Sequence, residues 1–249
     1  MAVVVLCSAG HSPGVSTTAL GLALTWPNEV LLVDADRTPT QSVLAGYLRG
    51  ERSGHHGLGG LLQAWRERRP FDEVIGAEAI DLPQLVARDE PVRFLPGFPH
   101  PGVVGLFGGA WPDLMAALAA REGDVLIDAG RLGVDGLPLP LAQNADLVLV
   151  VTRTSLVSLA ALRLYLPALT DSTGSERLAL GLIGSSMPYG RAEVQQQFGV
   201  TIAADLAFEP EAAAEVIMDV RRRDEAPIET PFRAPSLSPI KVRTSRSAH

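Results

Sequence analysis

Lysine is almost missing from this chain. Its 249 residues hold 21 Lys and Arg together, and Lys241 is the single lysine, so 20 (21 minus 1) are arginine. Any cationic role before position 241 falls to arginine, a planar fork that does not replace a compact lysine point charge one for one. With the abundant alanine, this skew suggests a GC-rich genome. Cysteine is also scarce. Cys7 stands alone in the first apolar run, which excludes an internal disulfide and reads as a buried structural thiol in a reducing cytoplasm. Positive charge is in deficit too: a net charge of -7 gives no electrostatic footprint for a polyanion. Contact with DNA or a membrane would have to be local and is not indicated by charge. No run reaches eighteen uninterrupted apolar residues, and MAVVVLCSAG has no basic stretch before its short apolar run. Neither a spanning helix nor a signal peptide is expected, and the expected location is the cytoplasm. Aromatics make up 5%, so the core must be built mainly from Ala, Leu and Val.

What is present is a regular alternation. Near-continuous apolar runs at Ala2 to Cys7, Val30 to Val33, Val125 to Ile127, Leu147 to Val151 and Leu178 to Ile183 read as strands buried on both faces. Between them, helical spacing covers Thr17 to Thr25, Leu58 to Arg68, Trp111 to Arg121, Ser155 to Leu166, Arg191 to Phe198 and Pro210 to Val220. Strand alternating with helix predicts an α/β fold, a doubly wound, mostly parallel sheet flanked by helices. The less regular span 50–109 is read as elaboration of the same 1–220 domain, with Leu58, Leu61, Leu62, Trp65, Leu82, Leu85 and Val86 available to pack on the sheet. The span 221–249 reads as a flexible basic Pro/Ser tail without the apolar stripe of a membrane-inserting helix.

The segment VVVLCSAGHSPGVSTTALGLAL combines a buried strand, a small-residue loop and a helix start. Backbone N–H groups of such a loop converge on one concavity and can hold a phosphate. Laying Gly10 on the first glycine of G-x-x-x-x-G-K-[ST] puts Val15 on the second, Ser16 on the lysine and Thr17 on the magnesium-binding hydroxyl. The lysine is absent. An ordinary strand-to-helix turn with a Ser/Thr cap explains the loop alone equally well. A dinucleotide-binding loop fits worse, since Gly10 and Gly14 are the glycines available and G-x-G-x-x-G is not formed.

Acids support the phosphate-loop reading. LLVDAD places Asp34 and Asp36 at a strand's carboxyl end, and DVLIDAG places Asp128 at another, where open α/β sheets bind ligands. Any one of them alone is as readily a turn or capping aspartate. In order and spacing, SAGHSPGVSTT, VLLVDAD, DVLIDAGR and ADLVLVVTRTSLVSL resemble the MinD/ParA family of deviant Walker A P-loop ATPases, over roughly Ala2 to Val220. The resemblance implies a nucleotide site for ATP and magnesium. Its cradle would be Gly10, His11, Ser12, Pro13, Gly14, Val15, Ser16, Thr17 and Thr18, with Thr18 near the α-phosphate. Thr17 and Asp128 would serve the metal, Asp36 would orient water, Asp34 would be its strand-end companion, and Ser186 and Pro188 would lie on the adenine side. The family's K-G-G-x-G-K-[ST]-T has a second, signature lysine that reaches across a nucleotide-sandwich dimer; here that place falls on His11 or Gly10. With both lysines gone, the resemblance implies weak or absent hydrolysis. It leaves two roles open: a nucleotide switch in chromosome partitioning or cell positioning, with a protein partner and a homodimer, or a non-hydrolysing scaffold. Arg131 and Arg153 follow buried strands where a side chain could replace the lost charge, though surface exposure is the default for both. Adjacent His55 and His56 lack the acids or thiols of a metal site and read as a solvated turn.

Overall fold

The structure, a computed structural model, describes residues 1–10, 13–50, 57–83, 90–211 and 213. Its elements follow one another as β1 (Val3–Ser8), α1 (Val15–Thr25), β2 (Val30–Asp34), a π-helical turn at Val43–Tyr47, α2 (Leu58–Arg66), α3 (Phe71–Glu78), β3 (Ile80–Asp81) and β4 (Val92–Leu95). Next come α4 (Pro101–Val104), running through a 3-10 segment into α5 (Trp111–Ala120), then β5 (Asp124–Arg131), α6 (Leu139–Asn144) and β6 (Leu147–Arg153). The described order closes with α7 (Leu156–Thr173), β7 (Leu178–Ile183), α8 (Arg191–Phe198) and β8 (Thr201–Leu206).

The strands form one sheet in the order β3-β4-β2-β5-β1-β6-β7-β8. Every neighbouring pair is parallel except β3 with β4. Alternation along each strand explains why the runs look continuously apolar. Val3, Val5 and Cys7 enter the core on one face and Val4 and Leu6 the core on the other; Leu31 and Val33 oppose Val30 and Leu32 in the same way. The first face is covered by α2, α3, α5, α6 and α7, and the second by α1 and the Val43–Tyr47 turn.

The irregular span supplies more sheet than its composition suggests. β4 pairs with β2, with Val30 opposite Val92 and Val33 opposite Leu95, and β3 closes that edge. Leu58, Leu61 and Leu62 are buried on the first face and Leu82 on the second, whereas Trp65 is 36% exposed and Leu85 and Val86 lie outside the described residues. Phe98, Phe107 and Trp111 form an edge-to-face cluster, with Phe107 centred 5.4 Å from Phe98 and 4.9 Å from Trp111. The run Pro101–Ala120 is long and apolar enough to cross a membrane by composition, at mean hydropathy 1.5. Here it buries Phe107, Trp111, Leu114, Met115 and Leu118 in the core.

Three strands escape the sequence reading for identifiable reasons. β3 is two residues, β4 is interrupted by Arg93, and β8 buries only Ile202, Ala203 and Ala204 well. α7 continues past Leu166 despite Pro167, which sits on its exposed side, and Leu169 and Thr173 anchor the next turns in the core. Pro210, Glu211 and Ala213 are helical, within the expected helix of Pro210 to Val220; the remainder of it and the tail lie outside the described residues, as do His55 and His56.

Replacing Phe107 with alanine should cost about 3–5 kcal/mol, whereas Leu164→Ala on the exposed face of α7 should stay within about 0.5 kcal/mol. Urea denaturation reads both. A Phe107→Ala variant as stable as wild type would show that span 50–109 does not share the core.

Candidate functional site

The carboxyl ends of the central strands carry the polar residues of this molecule that are buried together. Parallel pairing sets Asp34 of β2 directly across from Asp128 of β5. Asp36 follows two residues later; all three are buried, at 8%, 4% and 7% exposure for Asp34, Asp128 and Asp36. Short-range backbone bonds orient them. Asp34 Oδ1 accepts from the N–H of Asp36 at 3.2 Å, Asp36 Oδ1 from the N–H of Thr38 at 2.8 Å, and Asp128 Oδ1 from the N–H of Gly130 at 2.9 Å. Gly130 is required in two ways: its φ of +62° is left-handed, and a Cβ there would stand 2.2 Å from Asp36 Cγ.

Desolvation, the largest influence, raises all three pKa values. For Asp34 it is joined by the charge of Asp128 and lifts the group from 3.8 to about 8. Asp128 is raised by burial, and the Ser16 hydroxyl and the Gly130 N–H recover part of that shift. Asp36 is raised by burial against the lowering effects of the Thr38 N–H and of Arg131 and Arg37. Asp124, at the opposite end of β5, behaves differently. Burial would raise it, but hydrogen bonds from Trp26 Nε1, Asn28 and the N–H of Ala2 hold it below the ordinary value. Asp124 is thus a satisfied structural acid, while the other three form an under-compensated cluster.

The turn between β1 and α1 lies beside them. Gly14 caps α1 in a left-handed conformation, φ 101° and ψ 41°, with no side-chain hydrogen bond to the cap and no acid in the first turn. Among the described residues no Ser or Thr side chain caps the first-turn amides, which have the positive end of the helix dipole behind them. Ser16, at the lysine position of the motif, turns its hydroxyl toward Asp128.

A cavity of about 250 Å³ opens next to this helix start. Pro13, Gly14, Thr17 and Thr18 line it from the loop and helix start, Ile183, Leu206 and Phe208 are its large apolar residues, and Arg153 and Glu209 bring charged side chains to it. Val15 is buried under the loop in the sheet core, and Gly10 is partly buried. His11 and Ser12 lie outside the described residues. Ser186 and Pro188 do not line the cavity. Both are exposed, and the N–H of Ser186 bonds the Tyr189 carbonyl at 2.7 Å to close a surface turn. Besides Ile183 at the end of β7, the apolar lining comes from the end of β8, a strand too alanine-rich to read; the LAFEP that begins with its last residue, Leu206, is the signal available in sequence. Arg131 is exposed as expected. Arg153 is not a free surface arginine: its guanidinium lies 4.8 Å from the Phe208 ring centroid, and its Nε is buried without a hydrogen-bond partner. Cys7 is fully buried, with its thiol pushed up to about 12 by desolvation and then by Asp128, in keeping with a structural thiol.

No protein-family model and no curated protein sequence matches the chain. Solved structures do. The chain superposes on a ParA family ATPase from Chlorobium tepidum TLS with a TM-score of 0.67 and 17% identity, over 86% of this chain and 88% of that one. The septum site-determining protein MinD of Pyrococcus horikoshii OT3, complexed with Mg-ADP, gives 0.62 and 20% over 90% of each chain. The MinC:MinD cell division protein complex of Aquifex aeolicus gives 0.60 and 15%, over 85% and 84%. The chain has the fold of the MinD/ParA P-loop ATPases.

The acid cluster makes a pH prediction. With its pKa raised from 3.8 to about 8, Asp34 holds a proton in the folded state that the unfolded chain has released, so its contribution to stability falls as pH rises through that window. Asp34→Asn removes this loss. Its Tm should exceed that of wild type clearly at pH 8 and much less at pH 5, each kcal/mol being worth about 2–4 °C in a chain of this size. Equal gains at both pH values would show that Asp34 is not held protonated.

Proposed function

We propose that this chain is a MinD/ParA-like nucleotide-binding protein of the cytoplasm, with weak or absent ATP hydrolysis, acting in chromosome partitioning or cell positioning. The observation that carries the reading is the uncapped start of α1 at Gly14, set beside strand-end acids in the register of a phosphate-loop site. A phosphate there would be held by main-chain amides rather than by a lysine.

The donor set suits magnesium. Thr17 would be its direct hydroxyl ligand and Asp128 would hold it through water, and the ion would supply positive charge to the phosphates and to a carboxylate cluster that burial now penalises. That the Pyrococcus MinD carries Mg-ADP supports this assignment. Asp36 would orient water, in a setting where burial raises its pKa against the lowering effects of the Thr38 N–H, Arg131 and Arg37. Without the lysine, charge developing on the transferred phosphoryl group loses a neutralising partner. Slow turnover follows from that loss.

Calorimetric titration with ATP should show magnesium-dependent binding that Asp128→Ala abolishes. No heat at millimolar ATP would sink the reading.

One observation favours the scaffold alternative, in which the fold serves protein partners without hydrolysis. The outer side of α7 exposes Leu156 at 66%, Val157 at 58% and Leu164 at 80%. Apolar side chains grouped on one helix suit a protein partner or a second copy of the chain, and the Aquifex relative is a complex of MinD with MinC. On this reading Asp36→Ala leaves the elution volume in size exclusion unchanged, with or without ATP. Dimerisation that appears only with ATP would argue against it.

A further inference from the structure

We propose that Arg153 is the cation this chain uses in place of the missing phosphate-loop lysine, and that it binds the phosphates nearest the nucleoside rather than the terminal one. The inference rests on the nucleotide-site reading above and names the residue and the ligand selectivity of that site.

The geometry is specific. Arg153 ends β6 and lines the same cavity as Gly14, Thr17 and Thr18, beside Ile183, its neighbour on β7, and Phe208. Among the described residues it is the cation lining that space. Its guanidinium rests on the face of Phe208, 4.8 Å from the ring centroid. Stacking occupies the face of a guanidinium and leaves its edge free for hydrogen bonds, so one arginine can be held by an aromatic ring and bind an anion at once. Part of that edge, Nε, is buried without an acceptor. An orphaned donor of this kind is costly, and an Nε–H beside an Nη–H is the fork that takes two oxygens of one phosphate.

Position decides which phosphate. Arg153 is stacked on Phe208 and neighbours Ile183, both apolar lining residues where a base would lie, while Gly14, Thr17 and Thr18 line the same cavity from the helix start; its charge is therefore on the nucleoside side of the site. Ser16, which occupies the motif's lysine place, is turned toward Asp128 and offers no charge to a terminal phosphate. The ligand class is therefore a nucleoside phosphate recognised through its proximal phosphates, with the γ-phosphate adding little. A family member relying on the lysine would lose far more on removal of the terminal phosphates.

The test is calorimetric titration of the full chain with ATP, ADP and AMP, each with magnesium, for wild type, Arg153→Gln and Arg153→Lys, with circular dichroism to confirm folding. Expected are ATP and ADP affinities within about threefold of each other, AMP still binding, a loss of at least about tenfold for all ligands in Arg153→Gln, and partial recovery in Arg153→Lys. If wild type binds and folded Arg153→Gln binds as well, this inference fails while the nucleotide-site reading stands. Wild-type binding of ATP that is lost with ADP also overturns it, by placing the recognition on the terminal phosphate. No binding of any nucleotide to wild type overturns both. Should Arg153→Gln not fold, Arg153→Lys decides: affinity equal to wild type shows that the fork is not used.

Discussion

Parallel pairing of β2 with β5 forces Asp34 and Asp128 into adjacent places at the carboxyl end of the sheet, with Asp36 one turn of chain beyond. Much else at this end of the molecule is arranged around that constraint. Like charges without water repel and resist ionisation, so the backbone supplies an N–H to each carboxylate, from Asp36, Thr38 and Gly130. Those bonds orient the acids without neutralising them. The same strand, β5, carries Asp124 at its other end, where an indole N–H, an amide and a backbone N–H leave the carboxylate comfortable. The contrast separates an acid that ties elements together from acids whose compensation is incomplete, and incomplete compensation at a sheet's carboxyl end is where a cation and a ligand belong.

Positive charge is the other half of the arrangement. A phosphate loop ordinarily meets its ligand with amides and a lysine; this chain keeps the amides at Gly14 and the helix start and has a hydroxyl where the lysine would be. The nearest cations are arginines delivered by other elements. Arg131 and Arg37 act on Asp36 from the outer side, and Arg153 reaches the cavity along β6, steadied on Phe208. A guanidinium stacked on a ring is held in a more fixed orientation than a lysine on its flexible stem.

Much of this was legible in the chain before folding. The apolar runs of β1, β2, β5, β6 and β7 announce themselves because strands buried on both faces tolerate no polar residue in either alternating set. α1 and α8 follow from spacing, and the acids from their place at the ends of those runs. Less legible were β3, β4 and β8: β3 and β8 are edge strands, where a two-residue length or a run of alanines suffices, and β4 beside the edge admits the half-buried Arg93, so their signals sink into that of a loop. The same cause hid part of the cavity lining. Ile183 ends β7, a strand that could be read, whereas Leu206 ends β8 and Phe208 follows it, and β8 could not be read; Ser186 and Pro188, which follow β7, are not among the lining residues.

The amino-acid order by itself determined the layer architecture, the small-residue loop and the loss of lysine, because periodicity and residue identity are local properties. Which charges meet was decided by the tertiary fold alone. Asp34 and Asp128 are 94 residues apart (128 minus 34) and become neighbours through strand order. Arg153 and Phe208 are 55 apart (208 minus 153) and meet because β6, β7 and β8 lie side by side and end together. Desolvation, which raises the acids and strands the Arg153 Nε without a partner, is a property of burial, and burial exists only once the sheet and its helices have closed over one another.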